Sequence, residues 1–189
     1  MSATSKASVR SAPIRTAIFG ASGTTGAELT KLVLRHPRCE LVFATSRSYA
    51  GQSLRTVDPG APDVVLRAPT DVSLKDLDLA FLCLPHGHSA TIAESCVRAG
   101  VRTIDLSGDL RLADHDTHAR VYGTPRSDKL AEQAVYGLSE LARDALFGAE
   151  LVTNPGCYPT CVALGLAPLA QRGWLRDAVV INALSGVSG

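Results

Sequence analysis

The chain has 189 residues, which is room for one full domain or for one domain and the beginning of another. Its 19 basic and 18 acidic residues nearly cancel, so no whole-chain field favours nucleic acid or an anionic membrane. Hydrophobic residues make up 46%, but the longest apolar runs, such as residues 78–85, are too short to span a bilayer. Five cysteines without a regular framework indicate a reducing compartment, so we expect a cytoplasmic protein that binds neither nucleic acid nor membrane.

The N-terminal segment differs in composition from the rest of the chain. It is rich in Ser and Ala, and no acidic residue occurs before Glu28. An organelle transit peptide has a similar composition. The segment is short and lacks a clear amphipathic repeat, so we favour a flexible tail over residues 1–13, with targeting as the alternative.

Strand and helix patterns alternate along the remainder. Strand patterns occur at residues 14–19, 40–44, 64–66, 79–84, 101–106, 151–152 and 178–184. Helix patterns occur at residues 26–35, 88–99, 139–146 and 159–172, and residues 107–136 are mainly loop. Strands joined by helical crossovers predict an α/β fold, with a Rossmann-type parallel sheet and helices on both of its faces.

A glycine-rich turn follows the first predicted strand and opens the first predicted helix. Its G-x-x-G-x-x-G spacing suits a tight turn in which the backbone approaches a pyrophosphate at a helix N-terminus. The candidate phosphate-binding residues are Gly20, Ser22, Gly23, Thr24, Thr25 and Gly26. The alternative is a tight turn without a ligand, but the position directly after the first strand favours dinucleotide binding.

The end of the second predicted strand indicates which dinucleotide is bound. An NAD site usually ends this strand with an acidic residue that accepts from the ribose hydroxyl. Here the strand leads into Ser46 and Arg47, and a hydroxyl and a guanidinium suit a 2′-phosphate. We therefore predict NADP(H) as the cofactor, the alternative being that Arg47 is a solvated surface charge.

The most informative stretch is Asn-Pro-Gly-Cys-Tyr-Pro at residues 154–159, which joins a short strand to a helix. The turn places Cys157 at or near a helix N-terminus, where a thiolate is favoured and can attack a carbonyl. Asn154 and nearby backbone N–H groups could stabilise the oxyanion. The alternative is a buried structural cysteine; we assign packing roles to Cys83, Cys96 and Cys161.

These elements divide the chain into parts. Residues 14–156 form the predicted NADP-binding Rossmann domain, and residues 157–189 form a nucleophile helix and the start of a second, α+β catalytic and dimerisation domain. The last five residues follow a predicted strand with a Gly/Ser turn, which normally continues into further structure. The sequence therefore resembles the N-terminal part of a larger enzyme.

Six motifs in order and spacing resemble those of the N-acetyl-γ-glutamyl-phosphate reductases of arginine biosynthesis. They are Gly20-Ala21-Ser22-Gly23-x-Thr25-Gly26-Ala27-Glu28-Leu29, Leu82-x-Leu84-Pro85-His86-Gly87-x-Ser89, Asp105-Leu106-Ser107-x-Asp109-x-Arg111-Leu112, Tyr122-Gly123-Thr124-Pro125, Tyr136-Gly137-Leu138-x-Glu140 and Asn154-Pro155-Gly156-Cys157-Tyr158-Pro159-Thr160. The resemblance runs from about residue 14 to residue 189, and its most specific part surrounds Cys157.

The resemblance implies an enzyme, a small-molecule acyl-phosphate substrate and a mechanism. Cys157 would attack N-acetyl-γ-glutamyl phosphate, and NADPH would reduce the thioester to N-acetylglutamate 5-semialdehyde. The resemblance also implies a homo-oligomeric full-length form. It adds cofactor contacts at Pro85, Ser185 and Gly186. The implied substrate-binding residues are Ser107, Arg111, Asn154 and Tyr158.

The chain departs from the family in one respect that bears on turnover. The family's acid/base histidine lies well downstream of the cysteine, whereas no histidine follows His118 here. We therefore expect this chain by itself to turn over weakly or not at all. The alternatives are a non-catalytic NADP-binding module, an aspartate-semialdehyde dehydrogenase-like enzyme, and a reductase of carrier-bound aminoadipyl phosphate.

The spacing of two histidines raises the alternative of a metal site. His115 and His118 stand in a stretch rich in Asp, but a usable site needs three or four ligands with supporting partners. We therefore predict a solvated loop there and no metal.

Overall fold

The computed structural model describes residues 12–123 and 126–186 and contains one parallel sheet. The sheet has six strands in the order β2-β1-β3-β4-β6-β5. The strands are β1 Ile14–Phe19, β2 Cys39–Thr45, β3 Leu79–Leu82, β4 Arg102–Asp105, β5 Val135–Tyr136 and β6 Leu151–Thr153. The helices are α1 Thr24–Arg35, α2 Ala90–Arg98, α3 His115–Tyr122, α4 Asp128–Gln133, α5 Ser139–Leu146 and α6 Cys157–Gln171. Two single 3-10 turns, Leu54–Thr56 and Pro69–Asp71, lie between β2 and β3.

Helices cover both faces of the sheet, and the side-chain alternation of β1 explains why. Ile18 points into one core cluster, which α1 closes with Ala27 and Val33. Phe19 points into the other, which α2 closes with Ala93. Since neighbouring residues of a strand face opposite sides, a strand buried on both faces is continuously apolar. The predicted Rossmann-type fold is thereby confirmed.

The prediction of a loop at residues 107–136 is wrong, because that stretch contains α3, α4 and β5. Side chains rather than apolar periodicity define these helices. Asp114 accepts from the N–H of Thr117 at the start of α3, and Gly123 ends the helix with φ +60°. Ser127 similarly accepts from the N–H of Leu130 at the start of α4. Short polar helices of this kind lack the periodic signal on which the prediction depended.

Two predicted strands are also absent from the described structure. In place of the predicted strand at residues 64–66 there are two isolated β-bridges, one between Ser53 and Val65 and one between Thr45 and Arg67. Residues 178–184 are exposed and have no regular structure, since no described strand lies beside them to complete a ladder. High apolar content alone therefore does not produce a strand.

Some predictions fall outside the described residues. These are most of the predicted tail at residues 1–11, Thr124-Pro125 of the fourth motif, and the final residues 187–189. Within the described ranges, no helix is both long and apolar enough to cross a bilayer.

Candidate functional site

A cavity of about 940 Å³ opens at the carboxyl ends of β1, β2 and β3. The helices that follow β1 and β3 lie on opposite faces of the sheet, and ligands of open α/β sheets bind at such a switch point. The cavity is lined by the predicted cofactor residues Gly20, Ser22, Gly23, Thr24, Thr25, Gly26, Ser46, Arg47 and Pro85. Ser185 and Gly186 lie elsewhere, in the exposed segment after α6, and their cofactor role stays a prediction.

Two positions of the glycine turn beneath this cavity, Gly20 and Gly26, leave no room for a side chain. Gly20 has φ +82°, and a Cβ on it would run into the carbonyl oxygen of Cys83 at the end of β3. A Cβ on Gly26 would run into the carbonyl oxygen of Gly20 and approach the Cα of Ala21 to 2.7 Å. Glycine at these two positions lets α1 pack directly against the turn.

The N-terminus of α1 is open toward the cavity. Gly23 occupies the N-cap position with an extended conformation, and no described side chain caps the helix. Thr24 and Thr25 are exposed, and the first turn contains no acidic residue. The N–H groups of this turn are therefore available to an anion, which the helix dipole also favours.

The β2 end of the cavity carries hydroxyl groups and an arginine. The hydroxyls of Ser22 and Ser46 lie 2.7 Å apart, which joins the glycine turn to the end of β2. Ser46 is buried and accepts from the N–H of Tyr49 at 3.2 Å, whereas Arg47 is exposed. Within this arrangement a guanidinium and hydroxyl donors lie where an NAD site would present a carboxylate.

A thiol lies farther along the same carboxyl edge of the sheet. Cys157 is the first residue of α6, is exposed, and follows Gly156 at the N-cap. No described side chain caps α6, so its dipole and N–H groups act at the thiol. Tyr158, next in the helix, is 42% exposed, and the Asn154 amide donates to the carbonyl of Pro155 at 3.1 Å.

Arg111 ties the loop after β4 to this thiol turn. Its Nε donates to the carbonyl of Asn154 at 2.8 Å, and its Nη2 donates to the carbonyl of Leu106 at 2.6 Å. Its Nη1 lies 3.0 Å from where a Cβ on Gly156 would stand. The guanidinium therefore presents a positive charge beside the first turn of α6.

Ser107, a predicted substrate-binding residue, lies in a buried hydrogen-bond network in the loop after β4. It is buried, and its hydroxyl donates to Asp105 at 2.9 Å while accepting from the N–H of Asp109 at 3.1 Å. Burial raises the pKa of Asp105, although the hydrogen bonds from Ser107 oppose the shift. The predicted contact of Ser107 with substrate stays a prediction.

The other cysteines divide into buried and exposed groups. Burial raises the pKa of Cys83 to about 12, with the charge of Asp105 as the smaller cause. Burial likewise raises the pKa of Cys96 to about 11, so both thiols stay protonated at neutral pH. Cys161 is exposed, so its predicted packing role is wrong for this structure.

The two histidines of the predicted loop lie in α3. His115 is exposed, with its Nδ1 3.1 Å from Asp128, and His118 is buried beside the ring of Tyr122. Among the described residues, no three His, Cys, Asp or Glu side chains converge as a metal site.

Asp109 and His86 connect the loops at this edge of the sheet, and sequence reasoning missed the part that Asp109 plays. Both lie in the loops that follow β3 and β4, and they hold these loops together by hydrogen bonds to backbone N–H groups. The signal available in the sequence was a second acid within the motif at residues 105–111, which was quoted only for the resemblance.

The cavity and the thiol turn define a dinucleotide-binding α/β domain that carries an exposed thiol at the start of a helix on its carboxyl edge. A family described as "Semialdehyde dehydrogenase, NAD binding domain" matches residues 15–149, and one described as "Semialdehyde dehydrogenase, dimerisation domain" matches residues 157–189. The chain therefore belongs to the semialdehyde dehydrogenase NAD-binding domain family.

Curated relatives confirm the predicted resemblance. The chain is 47% identical over 181 residues to the N-acetyl-gamma-glutamyl-phosphate reductase of Halorhodospira halophila, covering 93% of this chain and 53% of the relative. It is 47% identical over 173 residues to that of Thermus thermophilus, covering 91% and 50%. The chain thus spans about half the length of the curated relatives it matches.

Solved structures agree on the fold. Aspartate semialdehyde dehydrogenase II from Vibrio cholerae matches with a TM-score of 0.63 and 19% identity, over 85% of this chain and 43% of that one. The Candida albicans aspartate semialdehyde dehydrogenase with NADP matches with a TM-score of 0.57 and 17% identity, over 86% and 48%.

Proposed function

We propose that this chain supplies the cofactor site and the nucleophile of an NADPH-dependent N-acetyl-γ-glutamyl-phosphate reductase. The observation that carries the proposal is the exposed Cys157 at the uncapped start of α6, on the same sheet edge as the dinucleotide cavity. The similarity to curated reductases over nearly the whole chain supports this choice of substrate. We assign residues 14–156 to cofactor binding and residues 157–189 to the start of the catalytic and dimerisation domain.

The cavity fits a nicotinamide dinucleotide. Close-packed Gly20 and Gly26, together with the open N-terminus of α1, would hold the pyrophosphate. Ser22, Ser46 and Arg47 would bind the phosphorylated ribose, which is the reason we propose NADP(H) over NAD. The remaining half of the cavity, with Pro85, would receive the nicotinamide on the side of the sheet nearer the thiol.

The chain's own residues then account for the acyl transfer. The Cys157 thiolate attacks the acyl carbon, the bond from that carbon to the phosphate oxygen breaks, and inorganic phosphate leaves a thioester on the sulfur. Asn154 and the first N–H groups of α6 would stabilise the oxyanion. Bound NADPH supplies the hydride for reduction to the semialdehyde. Release of the aldehyde returns the thiolate to Cys157.

Arg111 is the proposed binder of substrate anion. Two of its nitrogens hold backbone carbonyls, which fixes the plane of the guanidinium. Its third nitrogen lies beside Gly156, close to where the leaving phosphate or the substrate carboxylate would stand. A charge fixed in this way attracts an anion without losing side-chain freedom on binding. Tyr158, which is exposed, would line the same pocket.

Further parts of the proposal concern the protein as a whole. We propose a homo-oligomer in the cytoplasm that acts on a small-molecule acyl phosphate and not on nucleic acid. A contact of Ser185 and Gly186 with cofactor is part of this proposal. The chain alone is expected to complete the acyl transfer but to turn over weakly, because no histidine follows Cys157 to serve as the acid/base.

The experiment is a single-turnover acyl transfer with intact-mass detection. The chain is mixed with N-acetyl-γ-glutamyl phosphate, and phosphate release is measured with the N-acetylglutamyl mass adduct. Cys157→Ser is expected to reduce adduct formation by at least about 1,000-fold, since it removes the nucleophile. Cys161→Ser, the matched control one helical turn away, should retain it. NADPH should discharge the adduct faster than NADH does.

Two results would contradict the proposal. An adduct that persists in Cys157→Ser would assign the chemistry to another group. Faster acylation by β-aspartyl phosphate than by N-acetyl-γ-glutamyl phosphate would instead favour the aspartate-semialdehyde dehydrogenase alternative.

A further inference from the structure

Asp109, in the loop after β4, is a fully buried carboxylate that caps another element. Its Oδ1 accepts from the N–H of Gly87 at 2.6 Å. Its Oδ2 accepts from the N–H groups of Ser89 at 2.9 Å and Ala90 at 3.3 Å. These donors lie at the start of α2, so Asp109 satisfies the N-terminus of a helix that belongs to a different part of the chain.

The segment that Asp109 holds forms one wall of the dinucleotide cavity. Leu84, Pro85 and His88 line the cavity from this segment. A second hydrogen bond reinforces the attachment, because the N–H of Gly108 donates to Nδ1 of His86 at 2.7 Å. Gly108 and Asp109, adjacent residues of the loop after β4, therefore both form hydrogen bonds with the loop after β3.

The same β4 loop also reaches the thiol turn. Arg111 lies two positions after Asp109 and holds the carbonyl of Asn154. Residues 108–111 thus contact both the wall of the cavity and the turn before Cys157. A displacement of this loop would move the two sides of the site relative to each other.

The two helices whose N-termini border the cavity, α1 and α2, differ in charge at those ends. α1 begins at an uncapped glycine, whereas α2 begins at the buried carboxylate of Asp109. A carboxylate at the start of α2 cancels its attraction for anions and leaves α1 as the end open to a pyrophosphate. The wall beside α2 is then left for an uncharged ring.

We propose that Asp109 is a positioning residue that orients the dinucleotide, with its phosphates at α1 and its nicotinamide against the wall at residues 84–89. The inference rests on the proposed function, because it takes the cavity as the NADP(H) site. The proposal predicts that Asp109 affects binding of the nicotinamide half of the cofactor and does not affect binding of the adenosine half, which would lie at the β2 end of the cavity.

The test compares two ligands on Asp109→Asn, which keeps the size of the side chain but replaces one acceptor with a donor facing N–H groups. Affinities for NADPH and for adenosine 2′,5′-bisphosphate are measured by calorimetry. We expect the Kd for NADPH to rise about tenfold, as for the loss of one charge-assisted hydrogen bond, and the Kd for the bisphosphate to change less than about twofold.

Asp114→Asn is the matched control, because Asp114 also caps a helix, but that helix, α3, contributes no residue to the cavity lining. It should change neither affinity, and circular dichroism should show that both variants are folded. If Asp109→Asn weakens both ligands equally, or neither, the inference is overturned. If the wild-type chain binds neither ligand, the proposed function itself fails, which is a different result.

Discussion

The two ends of this chain differ in how their apolar residues are used. From β1 to β6, apolar side chains fill two clusters, one on each face of the sheet. From residue 157 to residue 186 no residue is buried, although α6 contains three Leu and three Ala, and Leu184 is 97% exposed. Composition therefore does not reveal which apolar segment has a packing partner.

The difference also shows what positions the thiol. Because no residue of α6 is fully buried, we infer that its place is set mainly where it begins: at β6, the Pro155-Gly156 turn and the hydrogen bonds of Arg111. The cofactor cavity instead depends on the packed core beneath the glycine turn. Mutations should therefore affect the two halves of the site through different routes.

The largest expected effect is on the glycine turn of the packed region. Gly20→Ala places a methyl group against the carbonyl of Cys83 at a left-handed φ, so we expect a loss of about 4 kcal/mol in the free energy of unfolding. Gly51→Ala, at φ +80° with open space around it, should lose only about 1 kcal/mol. Urea denaturation measures both. Equal losses would show that the close approach to Cys83 contributes nothing.

A smaller effect separates the two regions directly. Leu82→Ala empties a fully buried position on β3, and we expect a loss of about 3 kcal/mol. Leu184→Ala, at an exposed position, should change the free energy of unfolding by less than about 0.5 kcal/mol. A large loss for Leu184→Ala in the same urea titration would mean that the segment after α6 is packed in solution.

The smallest expected effect is a pH dependence of the packed region. Cys96 has a pKa raised by burial from 9.0 to about 11, so the folded chain keeps a proton that the unfolded chain loses. The stability it contributes is fully present below pH 9.0 and is lost as the pH rises toward the folded pKa. Between pH of about 8 and about 9.5 we expect a loss of about 1 kcal/mol from this thiol.

Two variants isolate this contribution. Cys96→Ala should reduce the alkaline slope of the free energy of unfolding and leave the part due to Cys83, whereas Cys161→Ser, which changes an exposed thiol, should leave the slope as in the wild type. Identical slopes in all three proteins would contradict the assignment of the effect to burial of Cys96.

Local signals made much of the fold and part of the candidate site predictable. The bounds of β1 and α5 agree with the sequence patterns, and the glycine turn and Cys157 lie at strand-to-helix junctions as expected. The helices α3 and α4 were missed because their starts are marked by hydrogen bonds that Asp114 and Ser127 accept, and not by apolar periodicity. The hydrogen bonds that Asp109 accepts were missed because their donors belong to another loop, the one after β3.

The close approach of Arg111 to Gly156 limits how the two positions can vary. A Cβ at position 156 would stand 3.0 Å from Nη1 of Arg111, so a side chain there forces the guanidinium to move. That same guanidinium donates to the carbonyls of Asn154 and Leu106, so a shift of a few tenths of an ångström strains both bonds. Positions 156 and 111 are therefore coupled, and we expect a side chain at 156 to cost less stability when residue 111 is shortened with it.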